Sequence, residues 1–168
     1  TTVDTTLMTG LTTVGFSSSA ASGATVFSGM SSLVNAEMKN GSADLTLTHG
    51  AAAVAGASAI SLDVQGQTAG TFTAAGIETL TVNSNLVASS LTALTATSMT
   101  NLNVAGSADL SIGTVIDFVD NASATAVDGT LDASTFTGVL DVGFATGDNV
   151  TVTGGTKADI FDFTTGFS

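Results

Sequence analysis

Between Asp128 and Phe163, short apolar segments alternate with polar turns at an almost constant step. The segments centre on Leu131, Leu140, Val150 and Phe161, at intervals of nine, ten and eleven residues. Gly, Asp, Asn, Ser and Thr fill the gaps. Upstream, apolar and polar residues alternate with period two in Leu45-Thr-Leu-Thr, Ile60-Ser-Leu-Asp-Val64, Ile77-Glu-Thr-Leu-Thr-Val82 and Met99-Thr-Asn-Leu-Asn-Val104. Such alternation marks strands with one buried face. Leu80 and Leu102 lie twenty-two residues apart with Leu91 midway, and Ile112 follows Leu102 by ten. Short strands and turns on a fixed beat predict an all-β parallel β-solenoid, β-roll or β-helix-like, stabilised by stacking. A β-sandwich also has many short strands and is the alternative.

The pattern divides the chain at about residue 42. Residues 1–42 read as an irregular β/loop segment. Within it, residues 28–39 carry a possible short helix, because Met30, Leu33, Val34 and Met38 fall near one helical face and Asn40-Gly41 supplies a stop. Residues 43–168 read as the solenoid. The small apolar run Ala51–Ala59 suits a close-packed turn or a short helix. Gly-Ser-Ala-Asp-Leu-Thr-Leu at 41–47 returns as Gly-Ser-Ala-Asp-Leu-Ser-Ile at 106–112, a weak internal repeat. Val115-Ile-Asp-Phe-Val119 breaks the beat and predicts a change in rung geometry.

Composition fits this picture. The chain lacks Pro, which would remove ladder donors from stacked strands. Its Thr suits exposed strand faces, and its Gly and Asn suit corners. The apolar share of 43% argues against disorder. The absence of Cys excludes disulfides and thiolate metal sites and is compatible with secretion. No apolar run is long enough to span a membrane as a helix. The opening Thr1-Thr2-Val3-Asp4 suggests a fragment of a longer protein. A net charge of −12 disfavours nucleic acid as a partner. Eight of the fourteen acidic residues follow position 112, and all eight are Asp. Asp suits turns and oxygen-rich cation sites.

Gly154-Gly155-Thr156-Lys157-Ala158-Asp159-Ile160-Phe161 resembles the RTX nonapeptide, Gly-Gly-x-Gly-x-Asp-x-apolar-x, which binds Ca²⁺ in β-rolls. Gly154, Gly155, Asp159 and Phe161 match; Lys157 replaces the third Gly. With the segments 76–82, 91–96, 102–110 and 131–138, the chain over about 43–163 resembles RTX-type surface-layer proteins, the type I-secreted S-layer proteins of Gram-negative bacteria. The resemblance implies an extracellular protein of the bacterial cell surface. It implies self-assembly into a lattice stabilised by Ca²⁺, with lipopolysaccharide anchoring through another domain. The residues themselves point to Ca²⁺ as well, because stacking that drew Asp128, Asp132 and Asp141 together would need a cation to offset repulsion. The expected ligands are Asp128, Asp132, Asp141 and Asp159 with Gly154 and Gly155, and Asp148 and Asp162 as second choices.

Catalysis finds little footing in the sequence. His49 is the lone imidazole and reads as a surface turn residue. No Ser sits in Gly-x-Ser-x-Gly. The carboxylates of Asp117 and Asp120 could form a glycosidase-like pair, but the chain has no Trp or Tyr for an aromatic cleft. The expectation is therefore a non-enzymatic structural module of a surface-layer protein. The alternative is an RTX-type adhesin, or a Ca²⁺-dependent folding and secretion module of an exoprotein.

Overall fold

A computed structural model describes residues 1–18, 23–119, 127–145 and 149–163. Every strand pairing in it is parallel, and the described residues contain no helix. The strands, numbered in chain order, form three sheets. The first contains β1 (Thr2–Asp4), β3 (Ala24–Met30), β5 (Asp44–His49), β7 (Thr71–Ala74) and β10 (Ala93–Thr95). The second runs the length of the molecule and contains β2 (Thr13–Ser17), β4 (Asn35–Lys39), β6 (Ala59–Gln65), β8 (Thr79–Ser84), β11 (Asn101–Gly106), β13 (Gly129–Asp132) and β15 (Val150–Thr153). The third contains β9 (Ser89–Leu91), β12 (Leu110–Ile116), β14 (Leu140–Phe144) and β16 (Ile160–Phe163).

The chain winds as a parallel β-solenoid of about seven turns. Each coil contributes one strand to the long sheet and at least one to the others. Leu80 pairs with Leu102, and Leu91 with Ile112, so an interval of twenty-one or twenty-two residues is one coil. The shorter beat is a half-coil. Leu131 and Leu140 lie in different sheets, and it is β13 with β15, and β14 with β16, that pair. At 89–95 the first sheet gives way to the third: β9 pairs with β12, and β10, one residue further on, pairs back to β7.

Inward positions stack into apolar columns. Ile60, Leu80, Leu102 and Leu131 follow one another in register and are at most 5% exposed. The column ends on the partly buried Val152. Leu140 is buried, while Val150 and Phe161 pack partly buried against the core. Phe118 and Phe161 flank Phe144 at 6.5 and 6.4 Å between ring centroids, and Phe163 stacks on it at 5.0 Å. One coil alone has no second layer to bury these side chains; only its neighbours supply it.

Corners are set by backbone geometry. Gly106 has φ 113°, and a Cβ there would lie 2.0 Å from the carbonyl oxygen of Ser84 on the preceding coil. No L-residue fits without moving the corner.

The expected helix over 28–39 does not form. Its residues end β3, turn, and enter β4, where Ala36 and Met38 point inward on a period of two. Met30 and Val34 are buried as well, so an apolar corner between strands mimics helical spacing. The N-terminal part is correspondingly less irregular than expected: β1 to β4 join the same two sheets as the strands that follow. Residues 51–57 form turns, not a helix. The break expected near Val115 is present as a register shift in β12 between Ile112 and Ile116.

This packing predicts a sharp contrast within one strand. Leu102→Ala should cost about 2–5 kcal/mol, the range for large-to-small changes in a core. Asn101→Ala, facing outward beside it, should stay within about 0.5 kcal/mol. Denaturant unfolding of the two variants checks this.

Candidate functional site

Among the described acidic residues, several stand at strand starts or on outward strand faces. At the starts, carboxylates complete the ladder between coils. Asp44 Oδ1 accepts the backbone N–H of Thr71 at 2.7 Å, and Asp109 Oδ1 that of Val139 at 2.8 Å. Asp159 Oδ1 accepts that of Leu140 at 2.9 Å. Asp44 opens β5, Asp109 and Asp159 stand one residue before β12 and β16, and each lies opposite the amide it binds. The local sequence is the same in all three: Ala-Asp followed by Leu or Ile. The short side chain reaches across a single strand spacing of about 4.8 Å, which explains Asp at these positions.

Asp159 also closes its own turn, because its Oδ2 accepts the Gly155 N–H at 2.7 Å. The Thr156 N–H donates to the Phe136 carbonyl at 3.0 Å. A Cβ on Gly155 would lie 2.5 Å from that same oxygen, so glycine is needed for the close approach. A Cβ on Gly154 would lie 3.0 Å from Asp159 Oδ2. Both oxygens of Asp159 therefore face amide donors that a cation would have to displace. Lys157 Nζ lies 3.6 Å from Asp109 Oδ1. The Val139 amide, and then this lysine, hold the Asp109 carboxyl below the usual carboxylate range.

Asp128 follows the same rule on the long sheet. It is 9% exposed, and its Oδ2 accepts the Asn149 N–H at 2.7 Å. Asp132 is exposed at the end of β13 and accepts the Ser134 N–H at 2.9 Å, which lowers its pKa. Asp141 is half-buried and faces outward from β14, and Asp162 is exposed on β16 opposite Gly143. Asp148 and Asp120 lie outside the described residues.

The expected column of Asp128, Asp132 and Asp141 is not what the register builds. Asp132 stacks between Asn103 and Thr153, and Asp141 between Ser111 and Ile160. Asp128 stands beside Asn149. Neutral neighbours spare each carboxylate a like charge at one strand spacing. Among the described residues, no three acidic or imidazole side chains converge as a metal-binding group. Asp132, Asp141 and Asp162 fit a multi-oxygen cation only when another molecule supplies further ligands.

His49 is not the expected surface turn residue. It ends β5 in the inward phase already set by Leu45 and Leu47, a signal legible in Leu-Thr-Leu-Thr-His. Both ring nitrogens are buried without a hydrogen-bond partner, and burial lowers its pKa. Among the described residues, no hydroxyl or carboxylate hydrogen-bonds to it as a nucleophile–base pair requires. The structural role of Asp44 and Asp109 is missed when only the Asp-rich C-terminal half is read. The repeated Gly-Ser-Ala-Asp at 41–44 and 106–109 marks it.

Comparison of the chain with protein-family models, with curated proteins and with solved structures finds no match.

Two measurements test these assignments. Asp159→Asn places an amide NH₂ against backbone donors and should lose about 1–3 kcal/mol of stability even in calcium-free buffer. Denaturant melts in chelator check it. For His49 the folded protein holds the neutral form, so the unfolded chain takes up the proton first as pH falls below about 6.5. Stability should therefore be complete above that pH and decline below it. His49→Leu should remove this decline, leaving the loss below about pH 3.9 to carboxylates with lowered pKa such as Asp109 and Asp132. Melting temperatures of both proteins between pH 4 and 8 read the difference.

Proposed function

We propose that the chain is a structural module of a bacterial surface-layer protein, self-associating on the cell exterior without chemical turnover. The observation that carries this reading is the continuous parallel solenoid itself. Its seven-stranded sheet is about 29 Å long at one strand spacing per coil, and its outer face is a regular array of short polar side chains. Thr81, Asn103, Asp132 and Thr153 succeed one another along that face, as do Thr79, Asn101, Thr130 and Thr151. A repetitive face of this kind offers the same chemistry at every coil and suits tiling. The resemblance of the Gly154–Phe161 turn to RTX repeats supports the surface-layer assignment, with lipopolysaccharide anchoring left to another domain.

Calcium has a defined place in this reading. Copies carrying a charge of −12 repel one another. Ca²⁺ accepts six to eight oxygens in flexible geometry and so joins carboxylates from two molecules. The outward Asp132, Asp141 and Asp162 present carboxylates for this, whereas Asp128 and Asp159 are engaged by amides within the fold.

The test is electron microscopy and thermal melting in Ca²⁺, in chelator, and in Mg²⁺. Ordered arrays are expected in Ca²⁺ alone, since Mg²⁺ demands a tighter octahedral shell. An Asp141→Asn/Asp162→Asn variant should need several-fold more Ca²⁺ to assemble while melting normally as a monomer. Equal order in all three conditions would remove Ca²⁺ as the cross-link. Absence of any array in every condition would remove the lattice reading.

A further inference from the structure

On the outer surface at the start of the third sheet lies a groove of about 540 Å³. It runs along the solenoid axis, across the strands. Its successive rungs are Gln67, Ser90, Ser111, Asp141 and Ile160, with Asp109 at one side. Register links four of these directly: Ser90 to Ser111, Ser111 to Asp141, and Asp141 to Ile160. Four strand spacings give a length of about 19 Å. The groove exists because Ser90 and Ser111 are short where longer side chains would fill the face.

We propose that this groove is a docking site for an extended, lysine-bearing peptide segment of a partner protein. Charge is the first argument. Two carboxylates line the groove: Lys157 already approaches that of Asp109, and among the described residues Asp141 stands in no salt bridge. The protein already shows how a primary ammonium approaches it, since Lys157 places its Nζ 3.6 Å from the Asp109 carboxylate. Apolar surface is the second. Ile160 is 55% exposed, and the half-buried Val139 also contributes to the lining. A carboxylate beside aliphatic carbon matches a lysine, whose ammonium seeks the acid while its methylene stem covers the apolar surface.

The third argument is an unused acceptor. Gln67 lines one end of the groove and is 1% exposed. Its Nε2 donates to the carbonyls of Ala69 and Ala43 at 2.7 and 3.4 Å, which fixes the amide orientation. Its Oε1 is buried without a partner. A buried acceptor left unpaired is costly, and a shift of the Gln67 side chain that let a ligand N–H reach it would remove that cost.

Other occupants fit less well. A second copy brings the same −12 charge and needs a bridging cation at this lining, and a nucleic acid or an anionic lipid surface is repelled as well. A glycan would find no aromatic side chain in the lining to stack on. The groove crosses the strands, and β12 on its floor already pairs on both sides with β9 and β14, so a peptide lying in it does not extend the ladder. Recognition therefore passes through side chains. The inference does not depend on the lattice reading, since a monomer presents the same groove.

The experiment is fluorescence anisotropy of the full chain with a labelled alternating Lys-Ser peptide at low and physiological salt. The same peptide with acetylated lysines, and spermidine as competitor, complete the set. Asp141→Asn removes one carboxylate, and Ser111→Leu fills the floor. Asp63→Asn makes the same charge change on the long sheet, away from the groove. Binding is expected to weaken about tenfold in Asp141→Asn and in Ser111→Leu, the loss of one charge-assisted contact, and to stay within about twofold in Asp63→Asn. Acetylation should abolish it. Equal weakening by Asp63→Asn would show diffuse attraction to an acidic surface and overturn the site. So would unchanged binding in both groove variants, or no binding at all. Displacement by spermidine at or below the peptide's own concentration would assign the groove to a small polyamine and overturn the peptide.

Discussion

The parallel backbone ladder between coils is the constraint on which everything else rests. A coil of twenty-two residues, such as Leu80 to Leu102, cannot satisfy its own strand amides or bury its own apolar face. Both tasks fall to the coils above and below, and both require neighbours to keep register. Small departures therefore concentrate where the ladder allows them. The β12 register shift lies between Ile112 and Ile116, and the long turns at 51–57 sit outside the ladder.

Aspartate extends that ladder past the strand ends. Asp44, Asp109, Asp128 and Asp159 each offer a carboxylate oxygen to an amide of an adjacent coil. The acidic character of the chain is thus partly structural. What remains outward lies on Asp63, Asp132, Asp141 and Asp162: Asp132 and Asp141 stand between neutral residues along the ladder, Asp162 opposes Gly143, and Asp63 lies beside Glu37, itself paired with Lys39. A surface so arranged stays stable as a single molecule and retains carboxylates for cations and cationic partners. The lattice reading and the groove draw on that same reserve and meet at Asp141: the former also uses Asp132 and Asp162, the latter Asp109.

Lysine 157 illustrates how closely fold and recognition overlap. It occupies the place of the third glycine in the RTX-like turn, where its ammonium approaches a carboxylate two coils away. An exposed pair at this distance adds little stability. It does mark where on the surface the protein's field favours a cation.

Much of the architecture was legible in the residues. Period-two alternation at Leu45-Thr-Leu-Thr and Leu102-Asn-Val, the absence of Pro, and the twenty-two-residue interval determined parallel stacked strands and which side chains face inward, because alternation and spacing are local properties of the chain. The inward phase of His49 was written in the same pattern. Two matters were decided only by tertiary structure. Residues 28–39 satisfy a helical period and a strand-corner-strand equally well, and the ladder partners of β4 on both sides choose the strand. Which Asp stands beside which neighbour depends on coil length, which changes from twenty-two residues between Leu80 and Leu102 to twenty-nine between Leu102 and Leu131. With that change Asp132 stands next to Asn103. Register is a relation between distant segments, and no window of sequence contains both.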